Sequence, residues 1–208
     1  MKRVILLILV FHLLSIACFA QLSIHIFGGF PFNWEDGYLL GEETTTKVTS
    51  ISFGFGTSFP RSERFSYCFF DEIIFPQSLD ITIGGVTSSA DRNDYDTLMG
   101  MSVFLGTVFK LYISAQGKLI IPLTAGIRWM WLMANTTYVN VFGNNIGVGA
   151  GPGIEYHLNA KVYFFGRVMF YYDFFSFSII TTGYGSSSNS GLISSFSITP
   201  NIGIGLRF

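Results

Sequence analysis

The twelve residues that end the chain, Ser197 to Phe208, alternate almost without error. Ile198, Pro200, Ile202, Ile204, Leu206 and Phe208 share one phase, and Thr199, Asn201, Gly203, Gly205 and Arg207 share the other. A period of two belongs to a β-strand, so this segment has one apolar face and one small or polar face.

The same period recurs upstream. Leu22, Ile24 and Ile26 oppose Ser23, His25 and Phe27, and Thr49 to Phe59 sets Ile51, Phe53 and Phe55 against Ser50, Ser52 and Gly54. Leu79, Ile81 and Ile83 oppose Asp80, Thr82 and Gly84, and longer alternations cover 99–111, 119–129, 146–157 and 162–173. With the terminal segment these make eight strands. One region resists the pattern: Pro60 to Gln77 is too aromatic for a simple turn. It reads as an ordered linker after a membrane strand at 47–59. The alternative makes Phe65 to Phe70 the second strand and 47–59 an extra hairpin.

Half the residues are apolar, 17% are aromatic and only 12% are charged, about half the usual charged share. Yet after the N-terminal segment no run of ~18 apolar residues exists for a membrane helix. The best candidate, Leu119 to Ala134, is broken by Pro122, Gly126 and Arg128. Apolar content spread thinly through alternating strands suits a transmembrane barrel. The predicted fold is therefore all-β, an antiparallel up-and-down barrel of eight strands.

The charges fall where that fold needs them. His25, Asp80, Lys110, Arg128, Glu155, His157, Arg167, Asp173 and Arg207 lie on the phase opposite the apolar residues. A charge facing lipid at the midplane costs ~2–4 kcal/mol, whereas one facing the lumen can be paired or hydrated. These nine, with Ser23, are the predicted lumen lining. A soluble β-sandwich would segregate its charges in the same way, and the two chain ends favour the membrane. Lys2 and Arg3, the apolar run Val4 to Ile16 and the small-x-small Cys18-Phe-Ala20 read as a secretory signal over 1–20, leaving a barrel over 21–208. Lipidation of Cys18 competes with cleavage after Ala20. Without Cys18, Cys68 has no intramolecular partner.

The terminal strand, with Ile202, Ile204, Leu206 and Phe208, resembles the assembly signal of bacterial outer-membrane β-barrels. The whole pattern resembles the small barrels of the OmpA-barrel, OmpX and OmpW type, and Phe69 to Ile74 is similar to a segment of short spirochaetal barrels. The resemblance implies a chain integral to the outer membrane, in contact with its lipid and delivered by the barrel-assembly machinery through the C-terminal strand. It also implies roles from envelope integrity through adhesion to passage of small hydrophobic molecules, and it supplies no catalytic residues.

Other motifs point to structure. Gly147, Gly149, Gly151 and Gly153 keep strict period two, unlike the G-x-G-x-x-G of a phosphate loop. They leave inner-face space for Tyr163, Phe165 and Tyr171, so the lumen should be largely filled. Glu155, His157 and His25 predict a lumen hydrogen-bond network, with Glu155 reaching Arg167. They are too few for a metal site, and neither metal nor cofactor is expected. Phe30, Trp34, Trp129, Trp131, Tyr138 and Tyr172 predict an aromatic girdle, continued by Tyr171 to Phe177. The same aromatics could instead line an apolar ligand path.

A lipid-modifying barrel of the deacylase type would need His-x-Ser on a lipid-facing strand, but Leu158 and Asn159 follow His157, so no enzyme is expected. A formal charge of −1 and the lack of a basic stripe exclude nucleic acid. Four polar outer loops are predicted at 31–45, 87–97, 134–144 and 182–190. The expected function is a narrow porin-like channel or passage for small solutes, hydrophobic ones included. The alternative is a non-conducting structural or adhesive anchor whose loops meet surface ligands.

Overall fold

The computed structural model describes residues 22–208, except 40–41, 115–116, 138 and 183–184. The expected signal over 1–20 and the girdle residue Tyr138 lie outside the described residues. Ten strands follow in order: β1 (Ser23–Gly29), β2 (Phe32–Leu39), β3 (Glu42–Pro60), β4 (Phe65–Ile83), β5 (Val86–Asp91), β6 (Thr97–Tyr112), β7 (Leu119–Asn135), β8 (Val139–His157), β9 (Val162–Thr182) and β10 (Gly185–Arg207). All pairings are antiparallel.

β1 and β2 are one barrel strand interrupted at Phe30 and Pro31, where proline has no N–H to give the ladder. Both halves pair with β3 on one side and β10 on the other. Hydrogen bonds from Phe30 N to Pro200 O and from Ser50 N to Pro31 O, each 3.0 Å, stitch the gap. With β1/β2 counted as one, β3, β4, β6, β7, β8, β9 and β10 complete a closed ring of eight. Closure leaves no sheet edge, which a backbone in hydrocarbon requires.

The segment expected to be a linker is part of the wall. β4 runs unbroken from Phe65 to Ile83 and pairs with both β3 and β6. The reversal before it is tight, with Arg61 N and Ser62 N donating to Phe65 O at 2.8 and 3.0 Å. Both 47–59 and 65–70 are therefore strand. Below Gln77, β4 shows no alternation in hydropathy because Cys68, Phe70 and Ile74 face inward while Tyr67, Ile73 and Phe75 are exposed on the outside.

The seven uninterrupted wall strands run 16 to 23 residues, well beyond the ~9–11 that a membrane needs. The expected outer loops are consequently mostly extended hairpin. β5 folds back on β4 through Gly84 and Gly85, whose φ of 54° and 83° are left-handed. Two such residues make the turn that matches strand twist. Tight turns and both described chain ends lie at the opposite end of the barrel.

The outer surface is apolar around the full ring. Ile26, Phe53, Ile73, Leu105, Ile127, Val148, Phe170 and Ile202, one from each wall strand, are exposed large side chains. Such a belt suits lipid rather than water. Asp71 is its exception: it lies in register between Phe55 and Val103, on the outer phase, yet is only 6% exposed.

Candidate functional site

Inward-facing side chains stack in layers along the barrel. At mid-height Phe27, Phe70, Phe104, Val108, Tyr163, Phe165, Met169 and Tyr171 form one buried cluster with Cys68. Phe70 stacks on Phe104 at 6.1 Å between centroids, and Phe104 meets Tyr171 edge-on at 6.0 Å. Glycines on adjoining strands make room for the rings. A Cβ on Gly149 would run into Tyr171, and one on Gly205 into Tyr163.

Ions are held inside this plug. The Arg128 guanidinium donates from Nε to Asp173 Oδ1 at 3.2 Å, from Nη2 to Asp173 Oδ2, and from Nη1 to Ser197 Oγ at 2.8 Å. It also lies 4.1 Å from the Tyr171 ring centroid. In the same layer Ser52 Oγ donates to Glu72 Oε1 at 2.5 Å. Lower down, the Arg167 guanidinium sits 3.8 Å from the Phe70 centroid and 4.5 Å from that of Phe27. Cation–π attraction strengthens away from water.

His25 Nε2 lies 3.1 Å from Ser58 Oγ and 3.3 Å from the Tyr163 hydroxyl. Glu155 meets His157 at 3.3 Å, and His157 stacks on Tyr163 at 4.7 Å. The expected Glu155–Arg167 contact is replaced by this Glu155–His157 pair. Register explains the change: Arg167 is opposite Gly153, whereas Glu155 is opposite Phe165.

A cavity opens at each end of the plug. The upper one, about 240 Å³, is lined by Asn33 and Glu35 from β2, Val48 and Ser50 from β3, Ile74 and Leu79 from β4, Leu132 from β7, Gly143 and Asn145 from β8, and Ser195 from β10. The lower one, about 470 Å³, is lined by Ser23, Ser58, Ser66, Lys110, Arg207 and the Pro60–Glu63 turn.

Of the expected lumen residues, Ser23, His25, Lys110, Arg128, Glu155, His157, Arg167 and Asp173 are buried inside the ring, and Arg207 lines the lower mouth. Asp80 does not face the lumen. Between Thr49 and Ser50 the register of β3 against β4 skips Gln77. Beyond that skip Leu79 lines the cavity, while Asp80 lies opposite Lys47 in the ladder, on the outer face. A similar shift passes over Phe174 in β9, so its inner face changes from Tyr171 and Asp173 to Ser176 and Ser178. Both irregularities lie at the level of the upper cavity.

Around the upper rim, Phe30, Trp129 and Tyr172 are exposed. Trp34 stacks with Phe196 at 6.2 Å, and Trp129 and Trp131 lie 4.5 Å apart. Tyr171 leaves the expected girdle for the plug. Asn33 and Glu35 are absent from the predicted lumen because 31–45 reads as a loop, and Asn145 because it falls between the predicted loop 134–144 and the predicted strand 146–157. The alternation Phe32, Trp34 against Asn33, Glu35 was the available signal. Among the described residues no group of three or more His, Cys, Asp or Glu could hold a metal ion. On the outer strand Ile202 and Ile204 are exposed, as is Phe208 at the lower end.

No protein-family model and no curated protein matches the chain. Solved structures do. The chain is similar to the outer membrane protein OprG from Pseudomonas aeruginosa at 10% identity and a TM-score of 0.59, over 91% of this chain and 96% of that one. Neisserial surface protein A is similar at 10% identity and a TM-score of 0.56, over 90% of this chain and 97% of its own. The outer membrane protease OmpT from Escherichia coli is similar at 7% identity and a TM-score of 0.50, with 91% and 97% covered. A shared fold carries no shared reaction. A closed eight-stranded ring, an apolar exterior and these likenesses agree on one conclusion: this chain has the fold of the small bacterial outer-membrane β-barrels.

Proposed function

We propose that the protein is a non-enzymatic, integral outer-membrane barrel that is closed to flow along its axis. Its work is done at the outer end, where paired strands rise above the apolar belt. The observation that carries this is the plug. Phe27, Phe70, Phe104, Tyr163, Phe165 and Tyr171 interlock across the lumen, with Arg128 and Asp173 paired above them. Eight strands enclose only enough interior for side chains to fill. A porin-like path would have to displace these rings and break a buried ion pair, which makes the anchor the better reading of the two.

The test is single-channel recording on refolded 21–208 in a planar bilayer. The protein should insert, migrate as a heat-modifiable species and give no discrete steps. Regular steps from the unmodified chain would overturn the reading. If such steps changed size in Arg128→Ala, the lumen would be the conducting route.

A further inference from the structure

We infer that the upper cavity is a binding cup for a small amphipathic cation, a protonated amine carrying a short apolar body, that enters from the outer side. Val48, Ile74, Leu79 and Leu132 give one wall of the cup an apolar lining, while Asn33, Glu35, Asn145 and Ser195 make the other polar. Asn145 and Glu35 line this polar wall together, which sets the amide beside that charge.

Among the described residues no Lys, Arg or His lines the cup. The layer beneath it holds one guanidinium, Arg128, bound to Asp173, together with Glu72 on Ser52. Three carboxyl groups, Glu35, Glu72 and Asp173, therefore stand against two guanidiniums, Arg128 and, one layer lower, Arg167, a balance that stays negative. A cup of that balance attracts positive charge and repels negative charge.

Two polar atoms supply the independent sign of a ligand. Ser50 is 5% exposed and lines the cup, and its Oγ finds no hydrogen-bond partner among the described residues. Asn33 Oδ1, on the neighbouring strand, is also buried and without one. Buried polar atoms are nearly always satisfied. Both oxygens accept hydrogen bonds, and an ammonium offers three donors to them and to Glu35.

Size sets the other limit. At about 240 Å³ the cup falls below the ~300–1,000 Å³ of pockets for drug-sized ligands. Gly143 lines the cup and borders open space, since a Cβ there would meet nothing within 4 Å.

The experiment titrates phenethylammonium into the barrel held in nanodiscs of zwitterionic lipid, read by calorimetry, with phenethyl alcohol as the neutral isostere. Saturable binding is expected, about tenfold tighter for the ammonium. Glu35→Gln should bring the two probes to similar affinity, and Gly143→Leu should abolish binding of both. Heat-modifiable migration of each variant shows that it still folds. No saturable binding up to about 10 mM, or binding untouched by Gly143→Leu, overturns the site. Equal affinity for the two probes, or an ammonium preference that survives Glu35→Gln, overturns the cation class.

Discussion

The two mouths of the lumen stand on the same strands and have opposite chemistry. The upper cavity joins an apolar wall to Glu35 and amides, whereas the lower one gathers three cations, Lys110, Arg207 and Arg61, against one side-chain carboxylate, Glu63, among the serines Ser23, Ser58 and Ser66. A single strand shows how this arises. The inner face of β6 reads Leu98 and Gly100 at the top, Ser102 and Phe104 in the middle, and Lys110 at the bottom. Alternation decides which side of the wall a residue takes. Height along the strand decides which neighbours it meets, so chemistry in this lumen is layered across the axis. Between the mouths, the plug keeps the acidic cup and the basic cup apart.

The largest effect should come from breaking that separation. Arg128→Ala would leave Asp173 buried without its partner and should cost about 3–5 kcal/mol, read by urea unfolding on gels. Arg128→Met with Asp173→Leu should recover most of this. A single variant as stable as the parent would mean that the pair does not hold the cup floor. Next, Gly149→Val would press a branched side chain on the Tyr171 ring and cost about 1–3 kcal/mol by overpacking. A smaller loss would show that the plug can give way, which weakens the contrast between the two mouths.

Trp129→Ala would remove one ring of the Trp129–Trp131 contact on the outer rim and should cost about 0.5–1.5 kcal/mol beyond lost area. The smallest effect belongs to Asp80→Asn. On the outer face beyond the register skip it should shift stability by less than about 0.5 kcal/mol. A loss of several kcal/mol would return Asp80 to the lumen and invalidate the wall assigned to the upper cavity.

Much of this organisation was legible in the residues. Gly149 opposite Tyr171 and Gly205 opposite Tyr163 could be anticipated, because small residues on one inner face make room for rings on the next. His25, Lys110, Arg128 and Glu155 followed from phase alone. The stretch of β4 from Phe65 to Gln77 was not legible, unlike its end at 79–83, since a plugged lumen makes its inner face as apolar as its outer one, and period two vanishes when both faces want the same residues. Asp80 was misplaced by one skipped residue, because a shift of one reverses every side chain beyond it. Glu35 was missed because its strand continues past the apolar belt into a segment, 31–45, that reads as a loop, although Phe32 and Trp34 alternate there with Asn33 and Glu35.

What the chain determines residue by residue is local: period two, hence strands; which face of each is apolar; and the all-β class that follows from spreading apolar residues so thinly. Ring closure, the β1–β10 seam, the register skips and the identity of each cross-lumen neighbour belong to the tertiary structure. The physical reason is range. A side chain's direction is fixed by the residue before it, but a buried arginine finds its carboxylate only after strands 45 residues apart have been brought level by the hydrogen-bond ladder.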